Sequence, residues 1–253
     1  MINSVILFIR DTLPIFLLVS LLLSQSGIRL LHIAPGILIG LAFAGGWYAN
    51  LSFLSTIAAG AGLELIKVVI LVFGLAMMCL FSKDMINQNR RAYLWATLLL
   101  AAITIVNAIH FLIYSIAYWS NEQADMSLIA GSIIGLGISL SVSILLHAIV
   151  NSASYFLPKL IFLCVFCAGQ FASIIALLEQ VDFIDVTTTL WDSSSWVADD
   201  SEYGHLLNVL FGYEATPSTA YLAAYLIAVL LPIFSAFVFR KANNTKQHEA
   251  PSL

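Results

Sequence analysis

YLWATLLLAAITIVNAIHFLIYSIAYW, residues 93–119, runs for 27 residues without one Asp, Glu, Lys or Arg. A helix rising 1.5 Å per residue needs about 20 residues to cross the hydrocarbon core of a bilayer. In lipid the backbone N–H and C=O groups must be satisfied internally, which leaves the α-helix as the reading of such a run. Outward from it, comparable apolar runs occupy 4–24, 36–57, 61–81, 126–150, 155–178 and 219–239, separated by polar or turn-forming residues. The expectation is an all-α polytopic membrane protein of seven transmembrane helices over residues 1–240. A short polar tail, 241–253, is expected to be disordered.

Composition points the same way. Of 253 residues 61% are apolar and 9% charged, and the mean hydropathy is +0.98, whereas a soluble domain carries roughly a quarter charged residues. A water-soluble globular domain is excluded. The net charge of −4 offers no basic surface, so no nucleic-acid partner is expected. Cys79, Cys164 and Cys167 all lie inside apolar runs and read as packing residues. The first run lacks the tripartite pattern of a signal peptide, because Arg10 sits inside it and is followed by Asp11.

Basic residues set the orientation, since Lys and Arg stay in short cytoplasmic loops. With seven spans, Arg29, Lys83, Arg90, Arg91, Lys159, Arg240, Lys241 and Lys246 all fall on one side and none on the other. The N-terminus is therefore expected outside and the C-terminus inside. The outside segment 179–218 holds Glu179, Asp182, Asp185, Asp192, Asp199, Asp200, Glu202 and Glu214 with no Lys or Arg. It reads either as a solvated loop with Trp191 and Trp196 in the headgroup zone, or as a vestibule that attracts cations.

Ionisable and amide side chains within a bilayer are costly and mark function or internal ion pairs. Here they are Arg10 and Asp11 in the first span, Glu64 and Lys67 in the third, Asn107 and His110 at i, i+3 spacing in the fourth, and Gln170 in the sixth. At seven-span depths they all fall in the outer half, which predicts a polar cavity opening outward. Asp11, Glu64 and His110 are the candidate metal ligands. Arg10, Lys67, Asn107 and Gln170 are the candidate path-lining groups, and Asp192, Asp199, Asp200 and Glu202 form the acidic approach. The competing reading is structural: Arg10 with Asp11 and Glu64 with Lys67 form two internal ion pairs. Pro14 is expected to bend the first helix. Gly40, Gly45, Gly46, Gly60, Gly62, Gly131, Gly135 and Gly137 are expected to mark close helix contacts. No Walker loop, Rossmann glycine pattern or HExxH occurs, no catalytic triad is legible, and no enzyme is expected.

Several segments resemble one family, the oxidase-dependent iron permeases. They are Leu190-Trp191-Asp192-Ser193-Ser194, Gly204, Leu206 and Leu207, Phe211-Gly212-Tyr213, Pro217-Ser218 and Tyr225, and, opening the third span, Gly60-Ala61-Gly62-Leu63-Glu64-Leu65. The family's signature is Arg-Glu-x-x-Glu in its first and fourth helices. Here the first copy reads Arg10-Asp11-Thr12-Leu13-Pro14 and the second Val106-Asn107-Ala108-Ile109-His110, and Lys67 stands where members often carry a Glu. The resemblance implies two three-helix inverted repeats plus a seventh helix, in a bacterial inner membrane, moving iron ions inward. Iron is then the transported substrate and no tightly bound cofactor is expected. The implied partners are the lipid bilayer, a ferroxidase or periplasmic iron-binding protein, and a homo-oligomer or a hetero-oligomer with an intact family member. The depleted carboxylates keep two alternatives open: a non-transporting structural or regulatory paralogue, or a transporter of another solute on the same scaffold.

Overall fold

The computed structural model of the chain describes residues 2–119, 125–153, 155–185 and 188–248. Among these it is all helical, with one isolated extended bridge between Thr189 and Ser218. The elements are α1 (Ile2–Leu23), α2 (Leu30–Ala49), α3 (Leu51–Thr56), a 3₁₀ turn (Ile57–Gly60), α4 (Gly62–Ile86), α5 (Ala92–Trp119), α6 (Asp125–Ser152), α7 (Phe156–Gln180), α8 (Glu202–Phe211) and α9 (Thr219–His248). Among the described residues six helices, α2, α4, α5, α6, α7 and α9, are long and apolar enough to cross a bilayer. The chain is thus a polytopic membrane protein. Leu31, Leu38, Phe43, Val69, Ile133 and Phe234 stand outward and more than half exposed, the surface lipid would cover.

Several boundaries differ from the sequence reading, α4 among them, which runs to Ile86 rather than 81. The second helix begins at Leu30, before Pro35, because proline in an early turn forfeits only one backbone bond. It ends at Ala49 rather than continuing to 57. There the Asn50 side chain donates Nδ2 to the Gly46 carbonyl at 2.8 Å, and the short α3 turns the chain back. α9 continues to His248 because neither Pro nor Gly interrupts 233–248, so 241–248 are helical where disorder was expected. The remaining tail residues, 249–253, lie outside the described residues. A further difference is α8, a helix inside the segment read as a loop.

Two helix pairs dominate the packing. α2 lies on α5, where Gly36 and Gly40 face the Thr97 carbonyl and Thr104 so closely that a Cβ would fall 2.4 and 2.5 Å from them. Thr97 Oγ1 donates to the His32 carbonyl across the same contact at 2.7 Å. α6 lies on α1 through a ladder at four-residue steps. Thr12 meets Ser139 at 3.0 Å, Ser20 meets Ser143 at 2.6 Å, and His147 Nδ1 lies 3.1 Å from the Ser20 carbonyl. Gly135 lets Phe8 approach and Gly62 lies against the Leu54 carbonyl, while Gly45, Gly46, Gly60 and Gly137 face open space and mark no contact. In addition α1 packs on α5 and α4 on α7, so exchanging α1, α2 and α4 for α5, α6 and α7 maps these four pairings onto themselves. α9 closes the bundle against α4 and α7.

The core joins Leu17, Leu21, Met78, Leu99, Phe166 and Phe171. Cys164 and Cys167 are fully buried within it and unpaired, as packing residues should be, and Cys79 is half-buried.

Candidate functional site

The intramembrane polar residues converge. Arg10, Asp11, Lys67, Asn107, His110 and Gln170 line one cavity of about 320 Å³ framed by α1, α4, α5, α7 and α8. The i, i+3 spacing of Asn107 and His110 puts both on this wall, and Pro14 lines it too. Because proline has no N–H, the Arg10 carbonyl lacks its usual helical donor beside the cavity.

The charges in it are incompletely paired. Arg10 Nε donates to Asp11 Oδ1 at 3.1 Å, and the Arg10 side chain is 50% exposed. Asp11 is 4% exposed, and its second oxygen, Oδ2, is sealed from solvent without a hydrogen-bond partner. Lys67 is 7% exposed and has no ion pair within 4.0 Å among the described residues. The expected Glu64–Lys67 pair is therefore not formed. Glu64 occupies the first turn of α4, where a carboxylate stabilises the free N–H groups of the helix start. Lys67, three residues on, turns into the bundle. Glu64 acts on Lys67 through space and does not line the cavity. Asn107 spends its Nδ2 on the Ile103 carbonyl at 2.9 Å. Two cations thus face one carboxylate, and among the described residues no three His, Cys, Asp or Glu side chains are placed to hold a metal ion.

A second cavity of about 330 Å³ adjoins the first, with Ser173, Ala176 and Asn208 lining both. Its polar wall carries Asp199, His205, Glu214 and Tyr221. Asp199 is the one acid of the expected approach that borders it. Asp192 and Asp200 are exposed elsewhere, and Glu202 borders an apolar cleft between α1 and α6. Asp199 Oδ1 accepts from the Ala215 N–H at 2.8 Å. Burial raises the pKa of Glu214, and the nearby Asp199 and Glu179 push it the same way. Asp192 is held below the usual carboxylate range by hydrogen bonds from the Ser194 hydroxyl and N–H.

α8 positions the boundary between the two cavities. Ser201 Oγ caps its start by accepting from Gly204 N at 3.0 Å, and Gly212, at φ 66°, ends it in the left-handed region that glycine tolerates. Gly212 lies against Gly169 of α7, where a Cβ on Gly212 would fall 2.5 Å from the Gly169 Cα. Tyr221 Oη donates to the Gly212 carbonyl at 2.9 Å and fixes this corner. His205, Asn208 and Tyr221 escaped the sequence reading, and Glu214 entered it only among the acids of the outside segment. The available signal was Ser201 and Gly212 flanking the apolar positions Leu206, Leu207, Val209 and Leu210, the punctuation of a short helix.

Comparison with family models, with curated proteins and with solved structures finds no match to this chain.

Proposed function

We propose that the chain is a membrane permease built on the scaffold of the oxidase-dependent iron permeases, with iron as the substrate it moves inward or helps to move. The observation that carries a transport reading is the cavity. A membrane protein that leaves Lys67 buried without an ion pair, and one oxygen of the buried Asp11 without a hydrogen-bond partner, beside a solute-sized space bears a desolvation cost that packing alone does not require. Iron as the solute rests on the resemblance of Leu190–Ser194, Phe211–Tyr213, Pro217-Ser218 and Gly60–Leu65 to that family.

In this reading α1, 22 residues long, is the first of seven spans. The N-terminus is outside and the C-terminus inside of a bacterial inner membrane, and α1, α2, α4 and α5, α6, α7 are the two inverted repeats. The exchange relation among their contacts supports the repeat. Asp199 and Glu214 meet the cation at the mouth, and Asp11 is the carboxylate on its way through. A ferroxidase or a periplasmic iron-binding protein would supply it.

The charge of the inner cavity favours a second reading. Arg10 and Lys67 against Asp11 do not suit a bare multivalent cation. On that account the chain carries another solute, or serves as a subunit beside a permease with intact Arg-Glu-x-x-Glu motifs. Radioactive iron uptake into proteoliposomes holding this chain alone, with Asp11→Ala and Glu64→Ala alongside, tests both. Saturable uptake lost in Asp11→Ala supports the iron route, and no uptake by folded protein leaves the second reading.

A further inference from the structure

We infer that the inner cavity binds a small monocarboxylate, whose carboxylate meets Lys67 and Gln170 and whose hydrocarbon body lies on the apolar wall of the same space. Asp11 is already engaged: one oxygen takes the Arg10 Nε–H at 3.1 Å and the other is sealed from solvent. That pair is neutral in sum, so the charge left over is that of Lys67. Lys67 is more than nine-tenths buried and lines the cavity, and among the described residues it donates no hydrogen bond and has no ion pair within 4.0 Å. Unlike Asp11 Oδ2, its Nζ is not sealed, so an entering group reaches it. Glu64 acts on it only through space. Two further sets of donors line the same space without acceptors among the described residues: the Gln170 amide, and the Nη groups of Arg10, whose Nε alone is used.

The occupant follows by elimination. Water leaves the Lys67 charge uncompensated in a poorly solvated site. A cation is repelled by Lys67 and Arg10, and a dianion brings one charge too many. A halide supplies the single charge but leaves Leu71, Val106, Leu177 and Val209, which line the rest of the cavity, uncovered. A carboxylate of a few carbons answers both needs: its oxygens accept from the ammonium and amide donors, and its body covers the apolar side chains. The volume, about 320 Å³, is that of a small-ligand site. Asp199 and Glu214 do not bar the way, because they line the adjoining cavity and not this one. The inner cavity reaches the surface by itself at Arg10, 50% exposed, and at the exposed His110. The inference rests on the cavity and not on iron: binding is measured with no metal present, and either reading can fail alone.

The test is equilibrium dialysis of radiolabelled butanoate against the full chain in detergent micelles, in metal-free and carboxylate-free buffer, with empty micelles as the blank. The competitors are unlabelled butanoate, its uncharged counterpart butanamide, and chloride, at matched ionic strength. The expected result is saturable binding that unlabelled butanoate displaces at a concentration about tenfold or more below that needed by butanamide or chloride. Lys67→Met should weaken the binding by about tenfold or more, and Lys67→Arg, which keeps the charge, should restore most of it. Equal displacement by chloride would mean a plain anion site, and equal displacement by butanamide an apolar pocket in which Lys67 takes no part. No saturable binding, or binding unchanged in folded Lys67→Met, would place no carboxylate at Lys67. Any of the four overturns the proposal. The competition on the unaltered chain decides even where a variant does not fold.

Discussion

Asp11 gives one carboxylate oxygen to Arg10, whose Nε donates to Oδ1 at 3.1 Å, and keeps the other, Oδ2, buried without a partner. An orphaned buried polar atom costs about 1–3 kcal/mol. With Lys67 unpaired across the same cavity, the inner site is a place where the fold gives up stability.

Replacing the cation should return some of it. Lys67→Met keeps the length of the side chain and removes a buried charge that has no partner, so we expect the detergent-solubilised variant to unfold at a higher temperature, with a gain on the order of 1–3 kcal/mol. Solute binding at the cavity should be lost in the same protein. A fall in unfolding temperature would mean that Lys67 is compensated after all.

The corner between α8 and α7 should tolerate no side chain. Gly212→Ala puts a Cβ 2.5 Å from the Gly169 Cα and holds alanine at φ 66°, which together should destabilise by about 2–4 kcal/mol. Since α8 is pinned there, limited proteolysis within 197–213 should accelerate well before the membrane helices unfold.

The ladder between α1 and α6 should be additive and modest. Ser143 Oγ meets Ser20 Oγ at 2.6 Å and donates to the Phe16 carbonyl at 2.7 Å. Ser143→Ala is expected to cost about 0.5–1.5 kcal/mol, the range of interhelical hydrogen bonds in membranes. A calorimetric or denaturant measurement showing no loss would move the cohesion of this pair entirely to packing.

Stability of the outer segment should fall as pH rises through the region above 4.5, the ordinary value for Glu214. The folded state raises the Glu214 pKa, so it holds the proton where the unfolded chain has released it. The associated stability is fully present below the unfolded pKa and lost as pH climbs through the folded one. Glu214→Gln should flatten that slope. Asp192 acts in the opposite sense: its folded pKa lies below 3.8, so its contribution is present above that value and fades on acidification through the lowered one. Proteolysis rates of the segment across pH 3 to 8, about the range spanned by these groups, read both.

The proposed orientation has a direct check. Ser195→Cys, beside the 91% exposed Trp196, should react with a membrane-impermeant maleimide added to intact cells, whereas Arg90→Cys should react only after the membrane is opened. Labelling of Arg90→Cys from outside would reverse the assignment.

The membrane class and the helix positions were legible in the sequence because apolar length is a one-dimensional property: a run such as 93–119 must cross the bilayer wherever its neighbours lie. The gathering of Arg10, Asp11, Lys67, Asn107, His110 and Gln170 was also legible, since polar groups in lipid seek one another and their depths follow from 1.5 Å per residue. What tertiary structure alone decided was pairing. Spacing of i, i+3 allowed Glu64 to hold Lys67, but rotation of α4 turned Lys67 inward and left Glu64 at the helix start. Likewise, acidic composition could not tell Asp199 and Glu214 from Asp192 and Asp200. Only the fold of α8 against Gly169, with Asp199 accepting from the Ala215 backbone, sets the first two on the wall of the second cavity, which Asp192 and Asp200 do not line. Sequence determines how far along the bilayer normal a residue lies, whereas which side chains meet depends on helix rotation and on contacts between segments far apart in the chain.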